Sequence, residues 1–490
     1  MIERTRTNGR GGMVVTACAG AIFASLLTPP AQAEVIYVNH AAPRGGDGRS
    51  WETAFTSVRR GLAAARRGDE VWVAQGVYRP AKSDGPREKS FVLKKERSLY
   101  GGFAGNEERR EQRDPGRHVT VLSGDLAGDD GPDFENYGEN IYHVVSVRSR
   151  IGRPAIADGF TIVGGNADGA IEAAHGGGVL VTERSEGIFR QCMIRRNAAL
   201  LGGGVLVWLD ATATIEHSVI EENRGDGIYY RGGSHGAVRD SRIGGNVGRG
   251  LVLIKHGLLS IERCVFDGNV SDRDGGAIFS TGRQLDIRDS LFTGNRSAGR
   301  GGAIHVFGGL GKQSDWVNCV FAFNWADGDG GAMLVGTRRV HLTNCTVFGN
   351  ESLQRGGGVS NPQAYGRSML IHNCVLFGNR DSSGQGEEAQ FFGELDSRLD
   401  FCVVQGWTGK YGGTGTIGAD PRLVDPDRGD FRLLADSPCI DAADNGAVPE
   451  GVTSDLGGNP RFVDDPNVPD TGRGTPPIVD MGAYEFQPGG

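Results

Sequence analysis

The apolar residues of this chain fall in short alternating segments that recur at a nearly constant spacing between residues 161 and 402. Each copy contains a small residue that is followed five places later by Asn. Nine such pairs occur, at Thr161/Asn166, Cys192/Asn197, Ser218/Asn223, Ser241/Asn246, Cys264/Asn269, Ser290/Asn295, Cys319/Asn324, Cys345/Asn350 and Cys374/Asn379. A tenth copy begins at Cys402 without the Asn, and the mean period of about 27 residues indicates a repeat architecture.

The strands predicted within each copy lie on either side of the small residue. One apolar residue stands three places before it and another two places after it, as Ile261 and Phe266 do around Cys264. After each Asn the chain passes through a Gly-rich turn to an apolar residue, as in 275–278. Alternation over five or six residues, interrupted by Gly and Asn, predicts short β-strands joined by turns.

A repeat of two or three such strands cannot bury its apolar rows alone, but successive repeats stacked in register can. Each strand then pairs in parallel with its equivalent about 4.8 Å away. Helical repeats are excluded because each recurrent Gly would cost about 1 kcal/mol in a helix, and the short loops do not indicate the antiparallel hairpins of a propeller. The sequence therefore predicts an all-β fold, a right-handed parallel β-helix of about ten or more rungs.

Two repeated positions form predicted columns along this helix. The Asn column is predicted to be structural, because Asn tolerates left-handed turns and stacked amides bond along a column. Six cysteines share the small position with Ser and Thr: Cys192, Cys264, Cys319, Cys345, Cys374 and Cys402. This interchange indicates small buried side chains. The sequence permits disulfides between stacked cysteines but does not imply them. These cysteines lack the paired spacing of a thiol metal site.

The two ends of the repeat region differ from it, as the ends of a solenoid must. Residues 34–140 are expected to form an N-terminal cap and the first rungs, and 141–411 the repeat domain. A capping helix is predicted between Ser50 as N-cap and Gly68, with apolar residues at helical spacing: Phe55, Val58, Leu62 and Ala65. Residues 412–490, rich in Pro, Asp and Gly, are expected to form an irregular C-terminal cap over the last rung.

Composition and charge exclude several classes of protein. The 81 Gly among 490 residues are too few for collagen, and 21 Phe, 10 Tyr and 6 Trp argue against a disordered chain. The formal net charge of −8, with acids and bases interspersed, gives no reason to expect nucleic acid or an anionic membrane as partner.

Residues 1–33 have the pattern of a secretory signal peptide. Three Arg precede an apolar segment from Met13 to Leu27, and Ala31-Gln32-Ala33 forms the small-x-small cleavage site. A lipoprotein box ending at Cys18 is the alternative, which the short apolar stretch before that Cys disfavours. No later apolar run reaches the ~20 residues of a membrane span. The protein is thus predicted to be secreted, periplasmic or displayed at the cell surface.

The motifs of the chain resemble known families. Gly-Gly-Ala-Ile at 275–278 and 301–304, with Phe-x-x-Asn at 266–269 and 292–295, is similar to the repeat signature of polymorphic outer membrane proteins. More broadly, the chain resembles secreted right-handed β-helix proteins of the pectin-lyase-like superfamily, and its closing Asp-Met-Gly-Ala-Tyr-Glu motif resembles a bacterial surface subset of them. The resemblance implies the fold. It leaves activity open, because that superfamily holds lyases, hydrolases and non-enzymatic adhesins.

Candidate binding residues lie in two rows that follow the Gly-rich turn. Outward side chains of equivalent strands form rows along a β-helix. If these two rows face outward, they form an aromatic surface with one cation: Trp208, Tyr229, Arg231, Phe279, His305 and Phe307. Such a surface suits stacking against sugar faces. The alternatives are that a loop covers these residues or that the inward and outward positions are exchanged.

Candidate catalytic residues lie four places before the small residue on three successive rungs: Asp286, Asp315 and His341. Neighbouring carboxylates about 5 Å apart raise the pKa of one of them, as a retaining glycosidase requires. The same residues could bind Ca²⁺ or be solvated. A lyase would need a basic side chain beside a charge-neutralising cation site, and Arg231 and Lys255 have no carboxylate beside them in the aromatic rows.

Two further charged groups have structural interpretations. Residues two places before the small residue alternate in sign and predict a ladder across the strands: Arg190, Glu216, Arg239, Glu262 and Arg288. An acidic loop could hold Ca²⁺ but lacks the EF-hand spacing, so a hydrated loop is the alternative: Asp125, Asp129, Asp130, Asp133 and Glu135. The sequence firmly implies no cofactor and defines no metal site.

Two hypotheses for function follow. The first is a non-enzymatic, adhesin-like extracellular protein that binds polysaccharide or another surface ligand along its exposed sheet faces. The second is a polysaccharide lyase or glycoside hydrolase of the same fold, similar to pectate lyase. The ligand, the oligomeric state and the choice between these hypotheses stay open at the level of the sequence.

Overall fold

The computed structural model describes residues 33–489 except 95, 150–151, 309–311, 337–339, 363–368 and 394–396. The predicted signal peptide lies outside the described residues, apart from its last position. Within the described part of the chain, no helix is long and apolar enough to cross a membrane.

Within the described residues the chain winds through three parallel sheets, A, B and C, and from Glu70 onward it visits them in that order in successive rungs. Sheet A has 13 strands: Val35–Val38, Glu70–Ala74, Ser98–Phe103, Ala155–Asp158, Glu186–Arg190, Thr212–Glu216, His235–Arg239, Leu258–Glu262, Gln284–Arg288, Ser314–Val317, Val340–Thr343, Leu370–His372 and Arg398–Asp400. Sheet B has 12: Gly76–Tyr78, Thr120–Ser123, Thr161–Val163, Met193–Arg195, Val219–Glu221, Arg242–Gly244, Val265–Asp267, Leu291–Thr293, Val320–Ala322, Thr346–Phe348, Val375–Phe377 and Val403–Val404. Sheet C has 11: Phe91–Lys94, Val145–Arg148, Val179–Val181, Val205–Val207, Ile228–Tyr230, Leu251–Leu253, Ile278–Ser280, Ile304–Phe307, Met333–Gly336, Val359–Asn361 and Phe391–Gly393.

The remaining elements are short. Two narrow parallel sheets lie between sheets B and C in the chain: Asn166–Ala167 with Ala198–Ala199, and Val270–Ser271 with Arg296–Ser297, Trp325–Ala326 and Glu351–Ser352. One antiparallel pair joins Leu423–Asp425 to Asp430–Leu433. Among the described residues, the α-helices are Val58–Ala64 and Glu387–Gln390, and the 3₁₀ turns are Arg110–Gln112, Pro132–Phe134, Tyr137–Glu139, Ile171–Ala174, Pro426–Arg428 and Asn445–Ala447.

Equivalent strands pair in register, because the same kind of side chain recurs at the same place in each repeat. The inward Phe266, Phe292 and Phe321 of sheet B stack with ring centroids 4.9 Å apart. The backbone N–H of Cys345 donates to Sγ of Cys374 at 3.4 Å, so these residues lie on adjacent rungs. The predicted right-handed parallel β-helix is confirmed, with about 12 rungs.

The Asn column forms a buried hydrogen-bonded ladder from Asn197 to Asn379. Each side-chain amide donates to the side-chain oxygen of the Asn on the next rung, as Asn269 does to Asn295 at 2.9 Å. The same oxygen of Asn295 accepts the backbone N–H of Asn269 at 3.1 Å. The ladder ends on Gln390, whose side-chain oxygen accepts from Asn379 at 2.8 Å. The column is therefore structural, as predicted.

The cysteines of the small position are buried, and the structure shows no disulfide among the described residues. Together with Cys439 the free cysteines are Cys192, Cys264, Cys319, Cys345, Cys374 and Cys402. Burial raises the pKa of Cys192, Cys264 and Cys439 to about 12, and the thiolate is the reactive form. Because all seven side chains are buried, we expect a thiol reagent such as DTNB to modify none of them at about pH 8 in the folded protein and all of them after denaturation. Rapid native modification of any of them would contradict their burial.

The capping helix closes the N-terminal end of the core but is shorter than predicted. It spans Val58–Ala64, and Ser57 rather than Ser50 stands at its N-cap position. The backbone N–H of Phe55 donates to the carbonyl of Tyr37 at 2.9 Å, so the chain is still extended there. Leu62 of this helix is buried in the same hydrophobic core as Val38 and Val71 of the first two strands.

The C-terminal region lies against the side of the β-helix as well as over its end. Tyr411 covers the last rung, where its ring meets Phe391 edge-on with centroids 4.9 Å apart. The chain then passes along the outer face of sheet B, where Ile440 and Met481 join a buried cluster with Val375. The C-terminal region thus covers the outer face of sheet B in addition to the expected last rung.

The outer positions of sheet B explain this placement. In the middle rungs these positions carry charged residues such as Arg195 and Glu221, whereas the later rungs carry Ala322, Phe348 and Phe377. A row of exposed apolar side chains on a sheet face favours a covering segment. The C-terminal region supplies that cover.

Candidate functional site

The first predicted aromatic row of sheet C is largely buried. Tyr229 is 8% exposed and His305 is 3% exposed, since neighbouring side chains of the same face pack over them. His305 Nδ1 lies 3.2 Å from Asp274 Oδ2, and Arg249 lies over the ring of Phe279 at 4.7 Å. Tyr229 and His305 therefore cannot present a ring face to a ligand, which corrects that part of the predicted surface.

The second predicted row is accessible. Trp208 is half-buried, and the Arg231 guanidinium lies 5.6 Å from the centre of its ring. Phe307 is 42% exposed at the far end of the row. Of the six predicted binding residues, Trp208, Arg231, Phe307 and the half-buried Phe279 keep some exposed surface.

This row continues into rungs that precede the repeat region. Lys94 pairs directly with Arg148 in sheet C, and Arg148 stands one place after Val147, which pairs with Val181. Extending this register gives one outward row, which we name the sheet C strip: Lys94, Arg148, Thr182, Trp208, Arg231, Ile254, Thr281 and Phe307. At about 4.8 Å per rung the strip is roughly 34 Å long. Sequence reasoning missed Lys94 and Arg148 because their rungs lack the repeat motif.

The strip is electropositive at its N-terminal end. Like charges on directly paired strand positions repel, and within the described residues Lys94, Arg148 and Arg231 form no ion pair. Lys94 and Arg148 also line a groove of about 650 Å³ between the capping helix and sheet C. Its walls carry one acid, Glu88, and six cations: Arg59, Arg67, Lys89, Lys94, Arg97 and Arg148. Such a groove suits an anionic ligand.

The predicted catalytic residues do lie side by side on sheet A. Asp315 pairs with His341, and the backbone N–H of Asp315 donates to Asp286 Oδ1 at 3.2 Å. The side-chain amide of Gln284 donates to Asp286 at 2.7 Å, and His341 Nδ1 lies 3.9 Å from Asp315 Oδ1. The adjacency is thus as predicted, while a catalytic role stays a prediction.

Burial shifts the pKa of two members of this group, Asp286 and His341. Burial, with a smaller effect of Asp315, raises the pKa of Asp286, and burial lowers the pKa of His341. The group belongs to sheet A and the strip to sheet C. The structure therefore does not join the predicted catalytic and binding residues in one cleft.

The predicted charge ladder forms ion pairs on sheet A from Arg190 to Glu262, and Arg288 follows in register. Arg190 and Arg239 both pair with Glu216, at 2.8 and 3.3 Å, and Arg239 also lies 3.6 Å from Glu262. These pairs are partly exposed, so each stabilises the fold by at most about 1 kcal/mol.

Only two of the five predicted acids in the loop near the N-terminal end bring their carboxylates together. Oxygens of Asp125 and Asp129 lie within 4.8 Å of each other and of Glu139. Asp130 instead accepts hydrogen bonds from Asn140 at 2.9 and 3.1 Å, and burial raises its pKa to about 7. Calcium binding by this loop stays a prediction.

Comparison with known proteins identifies the class of this chain. Residues 161–321 match the family model described as right-handed β-helix region. This match and the three parallel sheets agree on one class, a right-handed parallel β-helix protein.

Among solved structures, the chain is similar to pectate lyase Pel9A, with 15% identity and a TM-score of 0.45 over 93% of this chain and 96% of that one. It is also similar to the PL6 family alginate lyase AlyGC, with 15% identity and a TM-score of 0.43 over 79% of this chain. That match spans 49% of the alginate lyase. No curated protein matches the chain.

Proposed function

We propose that the protein is an extracellular β-helix that binds an acidic polysaccharide lengthwise along the sheet C strip and does not cleave it. The observation that carries this proposal is the strip itself, one row that combines three cations, two aromatic rings and no acid. A polymer lying along the helix axis would meet one strip residue on each rung.

The side chains of the strip match the two chemical features of such a polymer. Guanidinium groups bind carboxylates with charge-assisted and often bidentate hydrogen bonds. Aromatic rings stack against the apolar faces of sugars. The basic groove beside Lys94 extends the positive surface at one end of the strip, so the proposal names uronate-rich or otherwise anionic chains as ligands.

The binding proposal predicts that retention depends on charge and on the strip. In affinity electrophoresis, polygalacturonate or alginate is expected to retard the protein, and a neutral dextran is not. The double variant Arg148→Ala/Arg231→Ala is expected to bind the acidic polymers about 10- to 100-fold more weakly, since the two lost contacts together contribute about 1.4–2.8 kcal/mol. Trp208→Ala tests the aromatic part in the same assay.

Arg428→Ala is the matched control, because this side chain is 87% exposed in the C-terminal region and lies outside the strip. Its retardation should equal that of the unaltered protein. Equal retardation by neutral and acidic polymers, or strip variants that bind like the control, would exclude this mode of binding.

The adjacency of Asp286 and Asp315 supports the second candidate, a polysaccharide lyase or glycoside hydrolase. Incubation with the same polymers, with and without Ca²⁺, distinguishes the two candidates. Non-enzymatic binding predicts no new reducing ends and no unsaturated products. Products that disappear in Asp286→Asn or Asp315→Asn would establish the enzyme instead.

A further inference from the structure

Three carboxylates meet in the C-terminal region, away from the sheet C strip and from the Asp286 row. Asp441, Asp464 and Asp470 each offer an oxygen, and these oxygens all lie within 4.8 Å of one another. Asp441 is fully buried, whereas Asp464 and Asp470 are exposed. The group is therefore accessible to solvent at Asp464 and Asp470 and buried at Asp441.

Backbone hydrogen bonds build this arrangement from two sides of Asp441. The N–H of Asp465 donates to Asp441 Oδ2 at 3.2 Å. The N–H groups of Thr471 and Gly472 donate to the carbonyl oxygen of Asp441 at 2.9 and 3.0 Å. Because the segment is tied to Asp441 just after Asp464 and just after Asp470, both carboxylates are held close to that of Asp441.

The group lacks a positive partner in the part of the chain that the structure describes. Asp441 Oδ1 is buried and accepts no hydrogen bond there, and no described Arg, Lys or His pairs with these three carboxylates. A buried carboxylate oxygen with no partner beside further acids is costly unless a cation neutralises it.

We propose that Asp441, Asp464 and Asp470 form a calcium site. All three ligands are carboxylates, and hard cations such as Ca²⁺ take oxygen ligands. Ca²⁺ accepts six to eight oxygens in flexible geometry, so three carboxylates, some of them bidentate, with water completing the shell, suffice. Zn²⁺ is disfavoured because no described His or Cys belongs to the group.

The site has a structural consequence. Asp441 directly follows Cys439 and Ile440, which pack in the cluster that joins the C-terminal region to sheet B. A bound ion would fasten the 464–470 segment to this packed position. Ca²⁺ binding should therefore stabilise the C-terminal region on the side of the β-helix.

The test uses the full chain after treatment with EGTA and titrates Ca²⁺ to about 10 mM by calorimetry, which covers the weak range of extracellular sites. We expect one binding event that the double variant Asp464→Asn/Asp470→Asn weakens at least about 10-fold. Ca²⁺ should also raise the melting temperature of the unaltered protein by at least about 2 °C and leave that of the double variant unchanged.

Asp129→Asn serves as the control, because Asp129 belongs to the other acidic group of the chain. It should leave the assigned binding event in place. Should the double variant fail to fold, as judged by circular dichroism, Asp470→Asn alone provides the comparison, since it changes one exposed side chain. Absence of Ca²⁺ binding by the unaltered protein, unchanged binding by the Asp464 and Asp470 variants, or loss of all binding in Asp129→Asn would each overturn the site.

Discussion

Replacing Arg461 with Ala is expected to destabilise the attachment of the C-terminal region by about 3–5 kcal/mol, the cost of leaving a buried ion unpaired. Arg461 is 0% exposed. Its guanidinium donates to Glu485 at 3.3 Å, to Asn318 Oδ1 at 2.9 Å and to the carbonyl oxygen of Gly482 at 2.7 Å. Arg461 thus links Gly482 and Glu485 of the closing motif to Asn318, which lies in the turn before the sheet B strand Val320–Ala322.

The carboxylates beside Arg461 explain the size of this effect. Burial raises the pKa of Asp480 to about 7 and that of Glu485 to about 9. Two buried carboxylates face one guanidinium, and Arg461→Ala would remove the only charge that offsets them among the described contacts. Because Asp480 ionises near pH 7 and Glu485 near pH 9, the loss should be smallest at low pH, where both acids are protonated, and reach its full size only above about pH 9.

Thermal melting and limited proteolysis measure this prediction together. The variant should melt at a lower temperature and be cleaved faster after residue 412, with the repeat region protected. Arg473→Ala is the matched control, because Arg473 is 69% exposed and its pair with Asp444 spans 3.7 Å, so a change within about 1 kcal/mol is expected. An Arg461→Ala protein as resistant as this control would contradict the role assigned to Arg461.

Interrupting the Asn ladder at Asn295 is expected to cost a similar amount, about 3–5 kcal/mol. Asn295→Ala removes the oxygen that accepts both the backbone N–H and the side-chain amide of Asn269. It also removes the donor to the carbonyl oxygen of Phe266, at 2.9 Å. Each buried polar group left without a partner costs about 1–3 kcal/mol.

Asn106→Ala is the comparison for this ladder variant, because Asn106 is exposed and surface substitutions change stability by about 0.5 kcal/mol or less. The difference between the two variants in denaturant midpoint measures the ladder. Equal midpoints would mean that the ladder hydrogen bonds exchange with water at no cost. A partly folded Asn295→Ala protein that frays from the broken rung would agree with the prediction, since each rung contacts only its neighbours.

The interior of the fold could be predicted because the sequence motif that forms it repeats along the chain. A small residue, an Asn and apolar residues at constant offsets define columns before any coordinates are known, and the structure places Cys345 beside Cys374 and Asn269 beside Asn295 as expected. The capping helix was predicted less well. Its apolar spacing was visible, but the pairing of Phe55 with Tyr37 that delays its start joins two separate parts of the chain.

The candidate sites were only partly predictable. The alternation along a strand predicts that Tyr229 and Trp208 both point outward. It does not predict that neighbouring side chains bury Tyr229 and leave Trp208 half-exposed. Lys94 and Arg148 escaped notice because no motif aligns their rungs with the later ones. The acids around Asp441 and the partners of Arg461 come from a segment without a repeat, where no periodicity relates one residue to another.

By itself the sequence determined how the chain winds, which residues face inward and which columns run along the core, because in-register stacking turns a constant spacing into spatial contact. Only the tertiary structure decided which outward rows remain exposed, where the C-terminal region packs and which acids converge. Exposure and convergence depend on contacts between segments that share no period, and such contacts leave no local pattern in the chain.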